Sequence, residues 1–85
     1  MKVLQEKSGE GLEGLMGEKI AVWCCRYIYT GKLVGVSETC LKLEDPSIIY
    51  ETGSFSDKGY ADVQSMCVDY HYVSLAAIES FGLSK

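Results

Sequence analysis

The sequence predicts a small all-β domain, in which a short N-terminal helix precedes five strongly bent antiparallel strands. Apolar residues recur at helical spacing near the start of the chain, at Leu12, Leu15 and Met16. Apolar and polar residues alternate along most of the remaining sequence, which is typical of half-buried strands. Gly31 and Gly35 stand within one such stretch, where glycine permits the sharp bends that a closed small barrel requires.

Length and composition limit what the chain can be. Its 85 residues are 47% hydrophobic and 24% charged, as in an ordinary globular domain. This length gives a single domain with one sheet, without room for separate cofactor and substrate domains. Acidic residues outnumber basic ones 12 to 8, and the net charge of −4 argues against a protein that coats nucleic acid or an anionic membrane through bulk charge.

The cysteines and the absence of long apolar runs suggest a cellular compartment. The chain has no apolar run of membrane-spanning length, and its first residues lack the apolar stretch of a signal peptide. None of the four cysteines belongs to a Cys-x-x-Cys pair; they are Cys24, Cys25, Cys40 and Cys67. We therefore expect reduced thiols in a cytoplasmic protein of a bacterium or of a phage-infected host, with no membrane partner, no metal ion and no cofactor.

The elements follow in order along the chain. Residues 1–9 form a polar segment, residues 10–16 a short helix and residues 19–80 the barrel. Gly17 suits the position after a helix end. The five strands are predicted at residues 20–25, 29–36, 39–44, 66–72 and 75–79, and residues 51–64 form the long loop. Pro46 interrupts the third strand, as at an edge or a bulge, and residues 48–50 continue it.

Several segments resemble those of a known family of small barrels. Leu15–Val22 is similar to the junction between the helix and the first strand of Sm and LSm proteins. Gly31–Glu38 resembles the Gly-x-Leu-x-Gly-hydrophobic-Asp core of their first motif, and Cys40–Asp45 resembles the strand that follows it. Tyr70–Ser74 resembles the turn between the last two strands, as in bacterial Hfq. The resemblance implies an Sm-like, SH3-like barrel over about residues 10–80, whereas an OB-fold would have a helix where this chain has residues 52–64.

The family resemblance also implies partners and a function. In Sm-like proteins the fourth strand of one subunit pairs with the fifth strand of the next, which implies a homo-oligomeric ring of roughly five to seven subunits. It further implies binding of single-stranded RNA or DNA, with a role in RNA or DNA processing. The alternative is a structural or protein-interaction ring that has lost the base-binding pocket. The acidic balance favours this alternative, as does the absence of the family's Arg-Gly and Met-Asn pairs, since His71-Tyr72 stands in place of the first and Cys40 in place of the second. Ser37 and Thr39 also depart from the Asp and the aromatic residue of the family.

Two short segments are the candidate nucleic-acid-binding site. The first is the turn Ser37, Glu38, Thr39 and Cys40, which lines a ligand pocket or is an ordinary polar β-turn. The second is His71 and Tyr72, which hydrogen-bond to and stack on a base, or are simply a solvated and a packed residue of one strand. In a barrel we expect both segments at one rim.

Other cations and aromatic residues have two interpretations each. Lys19, Arg26, Lys32 and Lys42 lie on the predicted strands, where they contact phosphates or are only solvated. The six tyrosines either form a platform on which bases stack or are structural residues of the strands and of subunit interfaces.

The sequence shows no combination of residues that is typical of an enzyme. His71 is the single histidine, and no serine or cysteine nucleophile can be placed beside it. Glu44 and Asp45 precede Pro46, as in a polar turn, and no phosphate-binding glycine motif is present. We therefore expect a protein that is not an enzyme.

Overall fold

The computed structural model describes residues 3–5 and 9–85, which form an antiparallel sheet of six strands with one short helix. The elements are α1 (Gly11–Gly14), β1 (Lys19–Cys24), β2 (Ile28–Val36), β3 (Cys40–Glu51), β4 (Asp62–Ser65), β5 (Tyr70–Ser74), a 3₁₀ helix (Leu75–Ala77) and β6 (Ile78–Leu83). The predicted all-β class is confirmed. The predicted polar segment 1–9 lies partly outside the described residues, which omit residues 1, 2 and 6–8.

The helix is shorter than the predicted span 10–16 but uses the predicted apolar residues. Leu12 and Leu15 pack against the main core. Gly17 follows with a φ of 85°, and its N–H donates to the carbonyl of Leu33 at 2.7 Å. A residue with a Cβ atom rarely adopts this left-handed conformation, so Gly17 allows the chain to turn from α1 into the sheet.

The strands are ordered β4-β3-β2-β1-β6, and β5 also pairs with β3. Each pairing is antiparallel, and β4 and β5 lie along the two halves of β3. Within the described part of the chain, no ladder joins β5 to β6. The sheet is therefore open at this point, and its two ends are β6 on one side and β4 with β5 on the other.

The strand β3 passes through Pro46 without a break, because the proline lies in a bulge. Thr30 pairs with Ser47 while Lys32 pairs with Glu44, so β3 has an extra residue between these two pairs. Asp45 in this bulge has a φ of 54°. The predicted bulge at Pro46 is confirmed, and the predicted interruption of the strand is wrong because the sheet pairing resumes at once on either side.

The predicted fourth strand, residues 66–72, is wrong in its extent. The chain instead forms two short strands, β4 and β5, separated by residues 66–69. Cys67 has a φ of 57°, which interrupts an extended backbone. Met66 donates its N–H to the Pro46 carbonyl and Asp45 donates to the Asp69 carbonyl, both at 3.0 Å. The break between β4 and β5 therefore follows from the bulge in β3 that it faces.

The predicted fifth strand, residues 75–79, is wrong in its first half. Residues Leu75–Ala77 form a 3₁₀ helix, and the last strand is β6, which extends to Leu83 beyond the predicted barrel boundary at residue 80. The Leu75 N–H donates to the Thr39 carbonyl at 2.9 Å. Because the Leu75 N–H is bonded to the β2–β3 turn, it is not free to pair with a neighbouring strand.

The main core lies on one face of the sheet and contains six buried side chains: Ile20, Val22, Leu33, Leu41, Leu43 and Val73. A smaller cluster lies on the opposite face, where Thr30 is 2% exposed. Its hydroxyl lies 2.9 Å from the Ile20 carbonyl and 2.8 Å from the Ser84 hydroxyl. The Ser84 hydroxyl in turn lies 2.6 Å from that of Tyr60, so residues of the long loop and residue 84 cover this second cluster.

None of the helices in the described residues has the length and apolar character that crossing a membrane demands.

Candidate nucleic-acid interface

The predicted turn Ser37–Cys40 connects β2 to β3 and is closed by its own hydrogen bonds. The Ser37 N–H donates to the Cys40 carbonyl at 2.8 Å. The Ser37 hydroxyl accepts from the N–H groups of Thr39 and Cys40 at 3.2 Å and 3.1 Å. Serine at this position thus stabilises the turn, as its side chain does in many tight turns. Glu38 and Thr39 are exposed beside it.

A shallow cavity of about 200 Å³ lies between this turn and β5. Ser37 and Cys40 line it on one side and Tyr72 on another, and its walls are otherwise mostly apolar. Glu38 and Thr39 do not line it. The structure therefore brings three of the six predicted site residues together: Ser37, Cys40 and Tyr72.

His71 and Tyr72 lie on opposite faces of β5. Tyr72 is 60% exposed, and Tyr70, two residues before it, is also exposed. His71 is half-buried, and its ring centroid lies 5.4 Å from that of Tyr29. Successive side chains of a strand point to opposite faces. Both residues border a cavity of about 530 Å³, but only Tyr72 also borders the shallow cavity. His71 therefore does not join the cavity of Ser37 and Cys40.

The Lys42 ammonium group lies close to both exposed tyrosine rings of β5. Its Nζ atom is 4.0 Å from the ring centroid of Tyr70 and 5.8 Å from that of Tyr72. Lys42 and Tyr72 are direct cross-strand partners of β3 and β5. We call Tyr70, Lys42 and Tyr72 the tyrosine–lysine strip. Sequence reasoning considered each of these residues separately, and only the register between β3 and β5 shows that they are neighbours.

The larger of the two cavities that border β5 has a volume of about 530 Å³ and lies beside the β1–β2 turn, β5 and the 3₁₀ helix. Four rings line it: Tyr27, Tyr29, His71 and Tyr72. The ring centroids of Tyr27 and Tyr29 are 6.2 Å apart, within the range of aromatic contacts. Arg26 and Glu79 supply the charged groups of the lining. The contributing segments are far apart in sequence, so only the alternation of Tyr27 and Tyr29 could have suggested a shared surface.

Two groups in this larger cavity have raised pKa values. Burial raises the pKa of the Cys24 thiol, and the nearby Glu79 carboxylate raises it further. Burial also raises the pKa of Tyr29, with smaller contributions from Cys24 and Tyr27. A raised pKa keeps a thiol or a phenol protonated near neutral pH, so neither group is an activated nucleophile. The Cys24 thiol and the Tyr29 phenol of the cavity wall are consequently uncharged.

A third cavity, of about 570 Å³, has a polar lining with charges of both signs. Lys19 and Lys32 are cross-strand partners of β1 and β2, and Lys32 is also opposite Glu44. Asp45 adds a second acid to the lining. Two acids beside two lysines leave this surface without an excess of positive charge.

The structure also bears on metal and disulfide chemistry. In residues 3–5 and 9–85, no group of three or more histidine, cysteine, aspartate or glutamate side chains is arranged to hold a metal ion. All four cysteines are free thiols, of which Cys25 and Cys67 are exposed.

Comparison of the chain with protein-family models, with curated proteins and with solved structures finds no match.

Proposed function

We propose that the protein binds single-stranded nucleic acid through the tyrosine–lysine strip and the adjoining shallow cavity. The observation that carries this proposal is the position of Lys42, whose ammonium group lies close to the exposed rings of both Tyr70 and Tyr72. Exposed aromatic rings with a cation close to them are the combination by which proteins hold unpaired bases and the adjoining phosphates.

The strip has the exposure that stacking requires. Tyr72 is 60% exposed and Tyr70 is 46% exposed, so each ring offers a face to a base. Stacking on an aromatic ring contributes about 1–3 kcal/mol per base. The apolar wall of the shallow cavity, next to Tyr72, is suited to the edge of the same base. Contact with Tyr70 holds the Lys42 ammonium near the surface on which a phosphate would lie.

Charge determines which nucleic acids fit this surface. The chain carries a net charge of −4, and the exposed Glu38 stands on the turn beside the cavity. Long-range attraction to a polyanion is therefore weak, and affinity depends on short-range stacking. We expect single strands to bind and duplexes to bind poorly, because paired bases are not free to stack on tyrosine. The salt dependence should be shallow, since few phosphates are neutralised.

We also propose that the sheet completes an Sm-like barrel and assembles into a ring of roughly five to seven subunits. The strand order supports this proposal, because β6 lies beside β1 at one end of the sheet and β4 and β5 lie beside β3 at the other. Edge strands carry unpaired backbone groups, which a neighbouring subunit can satisfy. A ring would repeat the tyrosine–lysine strip and raise the affinity for one strand through multivalency.

A protein-interaction module without nucleic-acid binding is the second candidate. The observation that favours it is the apolar character of the sheet ends. Val63 on β4 is 43% exposed, and Phe81 and Leu83 on β6 are 40% and 68% exposed. Apolar side chains along a sheet edge are suited to contact another protein rather than a phosphate backbone.

The test compares two tyrosine substitutions in a binding assay with fluorescently labelled single-stranded RNA and DNA at low salt. Tyr72→Ala should weaken binding about 5- to 150-fold, which corresponds to the loss of one stacked base. Tyr50→Ala is the matched control, because Tyr50 is 54% exposed on β3 but lies outside the strip. Tyr50→Ala should bind like the parent protein.

Two outcomes would contradict the proposal. If both variants bind alike, the strip is not the site. If the parent protein binds no single strand at low salt, the protein-interaction module replaces nucleic-acid binding as the function.

A further inference from the structure

The larger cavity lies where the sheet is open. Its lining comes from the β1–β2 turn, from β5 and from the segment that leads into β6. In the described chain β6 pairs with β1 and β5 pairs with β3, so the gap between β5 and β6 is bridged only by the 3₁₀ helix. The volume of about 530 Å³ is within the range of small-molecule sites, which is roughly 300–1,000 Å³.

The walls of this cavity select for a flat, apolar ligand. The rings of Tyr29 and His71 are 5.4 Å apart between centroids and are inclined by 33°. Tyr27 continues the row at 6.2 Å from Tyr29. Neighbouring rings in such a row present a broad surface on which a further planar ring can stack or meet an edge. Ile78 and Ala77 add aliphatic surface to the lining.

The charged groups of the lining determine the preferred charge of the ligand. Arg26 is exposed in the turn that borders the cavity. A guanidinium group binds carboxylates and phosphates through paired hydrogen bonds. Glu79 lies beside Cys24, where it raises the pKa of the thiol, and would repel an anionic group placed at that part of the wall. A ligand is therefore oriented with its anionic group toward Arg26.

We propose that this cavity is a binding site for a small planar aromatic anion, whose ring contacts Tyr29 and His71 and whose anionic group pairs with Arg26. The cavity shares Tyr72 with the tyrosine–lysine strip, but the three side chains proposed to hold the ligand lie outside the strip, so the site does not depend on nucleic-acid binding. Lys42, the cation of the strip, does not line the cavity. Lys42→Ala should therefore weaken the binding of single strands without changing this site.

Three probes of nearly equal shape test the proposal: indole-3-acetate, indole-3-acetamide and tryptamine, which are anionic, neutral and cationic. His71 is the single histidine of the chain, so its ring protons give a distinct NMR signal that reports on the cavity. Titration of the parent protein at low salt should move this signal. Indole-3-acetate should bind about two- to fivefold more tightly than indole-3-acetamide, as expected for one exposed ion pair, and tryptamine should bind most weakly.

Charge reversal at Arg26 gives the decisive comparison. Arg26→Glu should invert the order, so that tryptamine binds most tightly and indole-3-acetate most weakly. Lys58→Glu is the matched control, because it makes the same change of charge at an exposed residue of the long loop and should keep the parent order. If Arg26→Glu disturbs the spectrum of the folded protein, Arg26→Gln should still make the acetate and the acetamide bind equally.

The proposal is overturned if no probe at millimolar concentration moves the His71 signal. It is also overturned if Arg26→Glu and Lys58→Glu change the order of the probes to the same extent, because the selectivity would then arise from net charge.

Discussion

Gly31 is a residue at which the fold leaves little room for a side chain. A Cβ atom at this position would lie 3.0 Å from both the Glu44 carbonyl oxygen and the Leu43 Cβ. The crowding arises because β2 and β3 cross closely beside the bulge at Asp45. Both neighbours belong to the sheet, so they cannot move aside without disturbing the ladder.

We predict that Gly31→Ala lowers the free energy of unfolding by about 1–3 kcal/mol, as expected for an overpacked interior. Urea denaturation measures this change. Gly59→Ala is the matched control, since a Cβ atom there meets nothing within 4 Å, and its effect should be close to zero. Equal midpoints for the two variants would show that the sheet accommodates the added methyl group.

For individual residues, the sequence predicts backbone conformation better than it predicts which side chains lie next to each other in the fold. The glycines of β2 indicated bends, and Gly31 and Gly35 do coincide with shifts of register against β3. The alternation of His71 and Tyr72 was visible, but which one would face Ser37 and Cys40 was not. That choice depends on the register between β5 and β3, which pairs Tyr72 with Lys42 and which no local pattern indicates.

Among the elements, the long loop between β3 and β4 receives three hydrogen bonds from a single side chain. Lys85 donates three hydrogen bonds from Nζ to the carbonyls of Thr52, Ser54 and Gly59, at 3.2 Å, 2.8 Å and 3.2 Å. Its ammonium group also lies 5.1 Å from the Tyr60 ring centroid. The loop thus acquires a fixed shape from a residue that is distant in sequence.

We predict that Lys85→Met, which keeps the apolar stem and removes the ammonium group, speeds amide hydrogen exchange in residues 52–61 by about tenfold or more. Bonds to a charged donor contribute about 1.5–3 kcal/mol, and local opening follows their loss. Exchange measured by mass spectrometry on peptides of this loop gives the rate. Lys58→Met is the control within the loop, and unchanged exchange in Lys85→Met would contradict the role of the ammonium group.

Among the strands, alternation of apolar and polar residues predicted β1 and β2 well but did not predict β4 and β5. β1 and β2 lie within one residue of their predicted ends. Residues 66–72 also alternate, yet they do not form one strand, because the bulge in β3 displaces the partner to which they would pair. A tertiary contact, rather than a local preference, determines the boundary between β4 and β5.

For the whole molecule, the open ends of the sheet predict self-association. Leu83 on β6 is 68% exposed, and a charge at a sheet edge opposes pairing with another chain. We predict that Leu83→Lys shifts the protein toward monomer at micromolar concentration, as measured by native mass spectrometry. Leu4→Lys is the matched control, since Leu4 is also 68% exposed but lies outside the sheet.

A parent protein that is monomeric under these conditions would contradict the proposed ring. If Leu4→Lys dissociates the assembly as fully as Leu83→Lys does, added charge rather than the sheet edge is responsible.

The all-β class was predictable from the alternation of apolar and polar residues, whereas the opening of the sheet between β5 and β6 was not. Whether β5 meets β6 depends on pairings between strands that are far apart along the chain, and no local pattern encodes such pairings. The same reason explains why the larger cavity was missed, since it lies at that opening. The shallow cavity was partly predicted because its turn is local and only Tyr72 comes from elsewhere.

The pairing of β1 with β6 has a consequence for how the protein is made. The ribosome completes β1 before it synthesises residues 25–77, and only then does β6 follow. At typical rates of translation this interval is about 3–11 s. Throughout it, one edge of β1 has no partner in its own chain, and other nascent copies on the same messenger present the same edge. The choice between correct folding and exchange of strands between copies is therefore made during synthesis, before the native partner exists.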